Sequence, residues 1–411
     1  MSRLGRTLVV SLNACIAFSL ACTGDDPVFS PSQPADDGGV STVDANVSSG
    51  GEAGADAAAP VCQEPLADCN DDGVCDTSLD VDPKHCGRCN HDCGPGSACV
   101  GRKCQPVTLM DNLTGAVSLA VNQTALVVLA DGGPKVCAKT GCNGVSGTSL
   151  ATQELVANGP HAVYINEQDA FWLGRTTAGA RYELRRCAIA GCGLSPSVID
   201  DEQLGAELRG EGNRLLRYDP TGELSAIFID GSSPKAYFPL ATRPSSSRFV
   251  VGGGKMAFSC LDGSTSENRG VWFGAFANAS PTRLMNDGHV VAMHGGVVYA
   301  SRPVDGTHEA IHACAAGGCG GVGATVGGTG PGAGTGTITD MTADASGLYW
   351  LENLGSAGRV MFCGLPDCPD GPKPLAVSQD KPTSITTDAS FVYWVNAGSG
   401  PSNGAALRVA K

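Results

Sequence analysis

From residue 105 onward, apolar and turn-forming positions recur at a long, regular interval. Large apolar residues stand at Leu119, Val163, Leu208, Phe249, Val291, Met341 and Ile385. Three residues after each comes Asn122, Asn166, Glu211, Gly252, His294, Asp344 or Asp388. Asn, Asp and Gly tolerate the backbone of a tight hairpin turn, so each pair predicts an inner strand running into a turn. Six residues further on lie Val128, Trp172, Arg217, Phe258, Ala300, Trp350 and Trp394, spaced by 44, 45, 41, 42, 50 and 44 residues. The clearest copies are Asp344 to Trp350 and Asp388 to Trp394, each ending in Tyr-Trp. A period in this range, with several short strands per unit, is that of propeller blades. Seven units predict an all-β, seven-bladed propeller. The third and fourth units have lost the Tyr-Trp signal, which leaves six or eight blades as alternatives.

The ends of the array are out of phase. The last unit stops after a third strand, Ala405 to Val409, while Pro106 to Met110 reads as a fourth strand without a blade. Pairing the two closes the ring and removes its exposed edges. Composition agrees: 57 Gly and 24 Pro in 411 residues, with 5% aromatics, favour many short strands over long helices. The net charge of −14 argues against nucleic-acid binding, which normally needs a basic face.

Nineteen cysteines point to an oxidising compartment. Four units carry a C-x4-C pair, Cys137/Cys142, Cys187/Cys192, Cys314/Cys319 and Cys363/Cys368, where a third strand turns back into a fourth. Each pair is placed to clip that hairpin across its loop, a contribution of about 2 kcal/mol for so short a loop. Cys260 falls on the fourth unit's second strand and is expected to be buried. Eight more cysteines, at 62, 69, 75, 86, 89, 93, 99 and 104, predict a loop-rich module with four disulfides and open connectivity. Cys86, Cys89 and Cys93 beside His85 and His91 also have zinc-like spacing, the less favoured reading after export. Asp68, Asn70, Asp72 and Asp76 follow the start of a calcium loop, but its twelfth position is Leu79. A solvated acidic loop is the alternative to structural calcium.

The N-terminus carries Arg3 and Arg6 before an uncharged, mostly apolar run from Thr7 to Ala21, the layout of a signal peptide and too short for a membrane span. Its end, Phe18-Ser19-Leu20-Ala21-Cys22, resembles the lipobox of bacterial lipoproteins, with Ser19 where Leu is usual. The resemblance implies cleavage before Cys22 and acylation of that cysteine, holding the protein to a membrane of the cell envelope. The expected organisation is signal peptide 1–21, disordered acidic linker 22–61, cysteine module 62–104 and propeller 105–411. The run Cys86-Gly87-Arg88-Cys89-Asn90-His91-Asp92-Cys93, with Cys99 and Cys104, resembles the stigma-specific-protein type of cysteine module. That implies an extracellular structural or interaction unit. The Asp388 to Asn396 unit resembles the Tyr-Trp repeats of exported bacterial propellers and, more distantly, the YWTD and NHL propellers. This likeness implies a binding scaffold more often than an enzyme.

For chemistry, the positions four before each turn should line the central channel: Ser118, Ala162, Glu207, Arg248, Val290, Asp340 and Ser384. His161 and His289 precede two of them. Glu207, Arg248, Asp340, His161 and His289 are therefore the candidate ligand-binding or acid–base set, against a reading in which Glu207 and Arg248 pair across adjacent blades. No nucleophile elbow, zinc-protease motif or phosphate loop occurs. The Gly-rich run 317–336 is expected to be a long loop between the fifth and sixth blades. The expected function is a monomeric, lipid-anchored scaffold for protein or glycan, with an exported hydrolase or lyase as the alternative.

Overall fold

The computed structural model describes residues 61–411, apart from 143–145, 152–153, 157–161, 177–182, 201–206, 219–223, 231, 233–235, 239–247, 261–269, 276–280, 306–307, 330–335 and 356. The expected signal peptide, Cys22, all of the expected linker but residue 61, and His161 lie outside the described residues. The described residues are all-β, with seven antiparallel blade sheets in sequence and two two-stranded sheets in the cysteine module.

Blade 1 holds Ser118–Val121, Ala125–Ala130, Gly133–Ala138 and Thr148–Ser149. Blade 2 holds Val163–Ile165, Asp169–Thr176, Glu183–Ala188 and Ser197–Asp200, with an additional short strand, Glu154–Val156, on Asp169–Thr176. Blade 3 is Leu208–Glu211, Arg214–Tyr218, Leu224–Phe228 and Ala236–Phe238, and blade 4 is Phe249–Gly252, Lys255–Cys260, Gly270–Ala275 and Thr282–Met285. Blade 5 is Val291–His294, Val297–Pro303, Glu309–Ala315 and Ala324–Gly328, and blade 6 is Thr337–Ala343, Gly347–Asn353, Gly358–Gly364 and Lys373–Gln379. Blade 7 combines Pro382–Thr387, Phe391–Asn396 and Gly404–Ala410 with Val107–Leu113. The protein is a seven-bladed β-propeller.

The two repeating columns of the sequence are cross-strand partners in every blade. Leu119 faces Val128, Val163 faces Trp172, Leu208 faces Arg217 and Phe249 faces Phe258. Val291 faces Ala300, Met341 faces Trp350 and Ile385 faces Trp394. The ring closes as expected, with Leu407 opposite Thr108 and Ala406 opposite Met110. The Gly-rich run differs from expectation, because Ala324–Gly328 within it is the fourth strand of blade 5. Its glycines have a packing reason: a Cβ on Gly327 would lie 3.3 Å from the Trp350 indole of the next blade.

Arg217 shows why the third unit looked degenerate. It sits fully buried in the Trp column, paired with Asp200 and donating from Nε to Ser225 Oγ at 2.8 Å. Asp200 is the last residue of the preceding blade's fourth strand. In blade 7, Trp394 Nε1 donates at 2.9 Å to Gln379, which ends the fourth strand of blade 6. The column residue therefore plugs against the preceding blade in both units, by an ion pair in one and by an indole N–H in the other.

All four C-x4-C pairs are disulfides: Cys137–Cys142 in blade 1, Cys187–Cys192 in blade 2, Cys314–Cys319 in blade 5 and Cys363–Cys368 in blade 6. Their placement corrects the expected clip in one respect. Cys137, Cys187, Cys314 and Cys363 lie on third strands, but Cys142, Cys192, Cys319 and Cys368 lie in the connections and not on fourth strands, which begin later at Thr148, Ser197, Ala324 and Lys373. Each disulfide therefore ties a connection back to the end of its third strand and does not bridge the hairpin. The reason is length: a disulfide spans only about 5–6 Å between Cα atoms, and these connections run past the four-residue loop.

Contacts with the preceding blade hold the second cysteines where they are. Cys142 N donates to Leu109 O of blade 7 at 2.8 Å, closing the ring on that side. Cys192 Sγ lies 3.5 Å from Leu150 O, just past the fourth strand of blade 1, and Cys319 Sγ lies 3.4 Å from Leu284 O of blade 4. Cys368 differs, since its N–H turns back to Gly364 O, at the end of its own third strand, at 3.0 Å. Cys260 is buried on blade 4, as expected.

The cysteine module is joined by Cys62–Cys75, Cys69–Cys89, Cys86–Cys99 and Cys93–Cys104. Its buried cysteines pack in one cluster with Trp394, Val409 and Ala410. In an antiparallel blade the first hairpin turn and the third-to-fourth connection emerge at the same end, so turns and disulfide-tied connections share one face. Blade 7 has no such connection, since its third strand ends at Ala410 and its fourth begins at Val107 after the module. The module occupies that place at the seam. Arg408 joins the parts, donating to Pro95 O of the module at 2.9 Å and to Lys139 O of blade 1 at 3.1 Å. His91 of the module contacts Lys411 O at 2.7 Å through Nε2.

Candidate functional site

Two features on the turn face are built from the repeat residues. The first is a set of stitches between blades. Asp388 Oδ1 accepts from Ser390 N and Phe391 N, both at 2.8 Å, which shapes its hairpin turn. Its other oxygen accepts from Tyr393 Oη at 2.8 Å and pairs with Lys139 of blade 1 at 2.5 Å. Lys139 Nζ also stands 5.9 Å from the Tyr393 ring centroid. Asp344 likewise pairs with Lys411 of blade 7, whose Nζ stands 5.4 Å from the Tyr349 ring, although Tyr349 does not donate to Asp344 as Tyr393 does to Asp388. The Asp and Tyr of the repeat thus form a socket for a lysine that follows the third strand of the next blade. Sequence reading assigned the Asp to the turn and missed the lysine, whose only signal is its place after a third strand.

Burial pushes the Asp388 carboxyl up, but the bonds from Lys139, Ser390 N, Tyr393 and Phe391 N outweigh it and hold it below the usual carboxylate range. Its folded value is depressed, so this stabilisation is present above about pH 4 and is lost as pH falls through the folded value. Asp388→Asn, which keeps the turn acceptor but loses the charge, is expected to cost about 2 kcal/mol at pH 7. Its melting temperature should fall less steeply than the wild type's between pH 5 and pH 2 in thermal scans.

The second feature is the central channel. A cavity of about 300 Å³ opens among the inner strands, lined by residues one to three positions before the turns. These include Tyr164, Arg209, Thr342 and Thr386. One step deeper, Ser118, Ala162, Glu207, Val290, Asp340 and Ser384 are all buried and Arg248 is half-buried, so the channel is filled at that level.

Three of the sequence-predicted residues do converge there. Glu207 feels the charges of both Arg248 and Asp340. The roles of the two acids are architectural. Asp340 Oδ2 accepts from Ile385 N of the next blade at 2.8 Å, and Glu207 Oε1 accepts from Phe249 N of its next blade at 3.3 Å. The predicted Glu207–Arg248 pair is replaced by one with Arg209, on the inner strand that Glu207 leads into, at 3.3 Å. Residues two apart in extended chain share a face, so Arg209 competes directly for that carboxylate. Burial pushes Glu207 up to about 7 against the pull of Arg209 and Arg248, and burial lowers Arg209. His289 lies apart from this group, with Nδ1 3.6 Å from Glu309 Oε1.

The acidic loop of the module is closed on itself. Asp68 accepts from Asp72 N at 3.2 Å and Gly73 N at 2.9 Å, while Asp72 accepts from Val74 N at 2.8 Å and Asn70 Nδ2 at 2.9 Å. Asp76 accepts from Thr77 Oγ1 at 3.3 Å. His85, Cys69 and Cys89 lie close together, but both cysteines are taken up by their mutual disulfide.

No protein-family model and no curated protein matches the chain. Solved structures match it in fold. YCF48 bound to D1 peptide is similar at TM-score 0.52 and 11% identity, over 75% of this chain and 94% of that one. BamB from Moraxella catarrhalis matches at TM-score 0.42 and 11% identity, over 72% and 83%. The PQQ-bound aldose sugar dehydrogenase from Streptomyces coelicolor matches at TM-score 0.42 and 13% identity, over 74% and 98%. At these identities the likeness shows the propeller fold alone.

Proposed function

We propose that the protein is an exported, lipid-anchored binding scaffold of the cell envelope, acting on a protein or glycan at the turn face of its propeller. The carrying observation is the pairing of sixteen of the nineteen cysteines in eight disulfides spread over the module and four blades. Such a chain matures in an oxidising compartment, which requires export. The signal-like segment, the lipobox-like end at Cys22 and the acidic linker supply the route, the anchor and the reach. The stigma-type module and Tyr-Trp repeats then serve as structural parts that hold the turn face. The reading is strengthened by Asp340 and Glu207, each of which spends an oxygen on a backbone N–H of the next blade. The second reading, an exported hydrolase or lyase, draws on these same two carboxylates.

The test is acylation. Metabolic labelling with palmitate should mark the wild type and leave Cys22→Ala unlabelled, with the variant released from the membrane fraction. A Cys22→Ala protein that is processed normally and still sediments with membranes would refute the anchor.

A further inference from the structure

The funnel at the mouth of the channel has a chemical character of its own. Among the described residues that line it, Arg209 alone is charged. In a chain of net charge −14, a fixed, half-buried cation is what the capture of an anion requires, since the surface repels one. Arg209 is held rigidly: Nε donates to Phe249 O at 2.8 Å and Nη2 to Glu207 Oε1 at 3.3 Å. Its five N–H donors exceed these two bonds, so the outer edge of the fork remains for a ligand oxygen. Around the same cavity stand the hydroxyl-bearing Thr342 of blade 6, Thr386 of blade 7 and Tyr164 of blade 2. Room for Tyr164 is made by Gly210, where a Cβ would meet the tyrosine ring at 2.4 Å. The remaining walls are aliphatic, such as Val250 and Met293. A volume of about 300 Å³ suits one sugar-sized ring and not an extended chain.

We propose that this funnel binds a single hydroxylated carboxylate of monosaccharide size, a uronate, with its carboxylate on Arg209 and its hydroxyls on Thr342, Thr386 and Tyr164. The assignment rests on the reading of the turn face as the binding surface and names its ligand. Glu207 supports it. One of its oxygens is buried without a hydrogen-bond partner, and the carboxyl is pushed up to about 7 by burial. The charged groups that face it are Arg209, Arg248 and Asp340. When Glu207 is protonated, Arg209 loses its counter-charge and holds an anion more tightly. Affinity therefore rises as pH falls through about 7.

Calorimetric titration of the full chain with glucuronate, glucose and an oligouronide, at pH 6 and pH 8, tests this. Glucuronate should bind saturably, at least tenfold more tightly than glucose, and more weakly at pH 8 than at pH 6. Arg209→Gln should remove binding. Because that change disturbs buried charges, Thr342→Val/Thr386→Val provides the second variant, expected to weaken glucuronate about tenfold with an unchanged melting temperature. Binding of the oligouronide as tight as that of glucuronate assigns the site to a terminal unit of a polymer; binding of glucuronate alone assigns it to the free acid. No saturable binding, equal affinity for glucose, or indifference to the threonine pair would overturn the proposal. A membrane-anchored protein that fails to bind uronate defeats this inference alone, whereas loss of palmitate labelling leaves it standing.

Discussion

Arg217→Met is expected to lower the unfolding free energy by about 3–5 kcal/mol in chemical denaturation with disulfides intact. The substitution removes the cation paired with Asp200, a carboxylate buried between blades 2 and 3, where both side chains are almost fully excluded from water. Removing one member of a buried pair costs more than the pair itself contributes, because the survivor keeps its desolvation penalty. The repeat offers the repair. Blade 7 fills the Arg217 position with Trp394, and blade 6 fills the Asp200 position with Ala376, since Leu184 faces Asp200 as Val360 faces Ala376. Asp200→Ala combined with Arg217→Trp should therefore recover most of the loss. A double variant no more stable than Arg217→Met would show that the two interfaces are not equivalent.

Arg408→Met is expected to have the next largest effect, about 2–4 kcal/mol, concentrated at the seam. Arg408 is buried, and its guanidinium reaches carbonyl oxygens of the module and of blade 1 while standing 4.5 Å from the Phe391 ring centroid. The same ring meets Gly94 of the module, where a Cβ would fall 2.6 Å from Phe391 Cζ. The methionine can fill the space but cannot satisfy the Pro95 and Lys139 carbonyls. Hydrogen exchange of Val107–Leu113 should accelerate in this variant, while the second strands of blades 3 and 4 should be unchanged. Uniform acceleration throughout the ring would show that Arg408 acts on global stability and not at the seam.

The fold was legible because blade repetition leaves two columns at a fixed distance from a turn, and those columns are true cross-strand partners. The closure was legible from phase alone, since a missing fourth strand and a surplus one must meet. Ala324–Gly328 escaped because its glycines mark loops in most contexts, whereas here Gly327 makes room for the Trp350 ring and Gly328 for the backbone of Glu309. Arg217 looked like decay because an ion pair and an indole can serve one packing position. The C-x4-C spacing gave the right cysteine partners, but not the strand on which the second one sits. Cys142, Cys192, Cys319 and Cys368 stop short of the fourth strands because the length of a connection leaves no periodic trace. At the channel, sequence periodicity put Glu207, Arg248 and Asp340 at one level of the inner strands, where Glu207 feels the charges of the other two. It could not show that Glu207 and Asp340 each commit an oxygen to a backbone N–H of the next blade, a matter of side-chain reach. Arg209 was missed for a related reason: the channel was read at one level of the inner strand, and the accessible cavity lies two residues nearer the turn.

The ring and its seam are the frame on which every later statement depends, and one measurement reaches them directly. Hydrogen exchange of Val107–Leu113 in the wild-type chain should show protection equal to that of Phe391–Asn396 in the same blade, because the strand pairs along Gly404–Ala410. Exchange of Val107–Leu113 at the rate of unstructured chain, with Phe391–Asn396 protected, would contradict the closed seven-bladed ring.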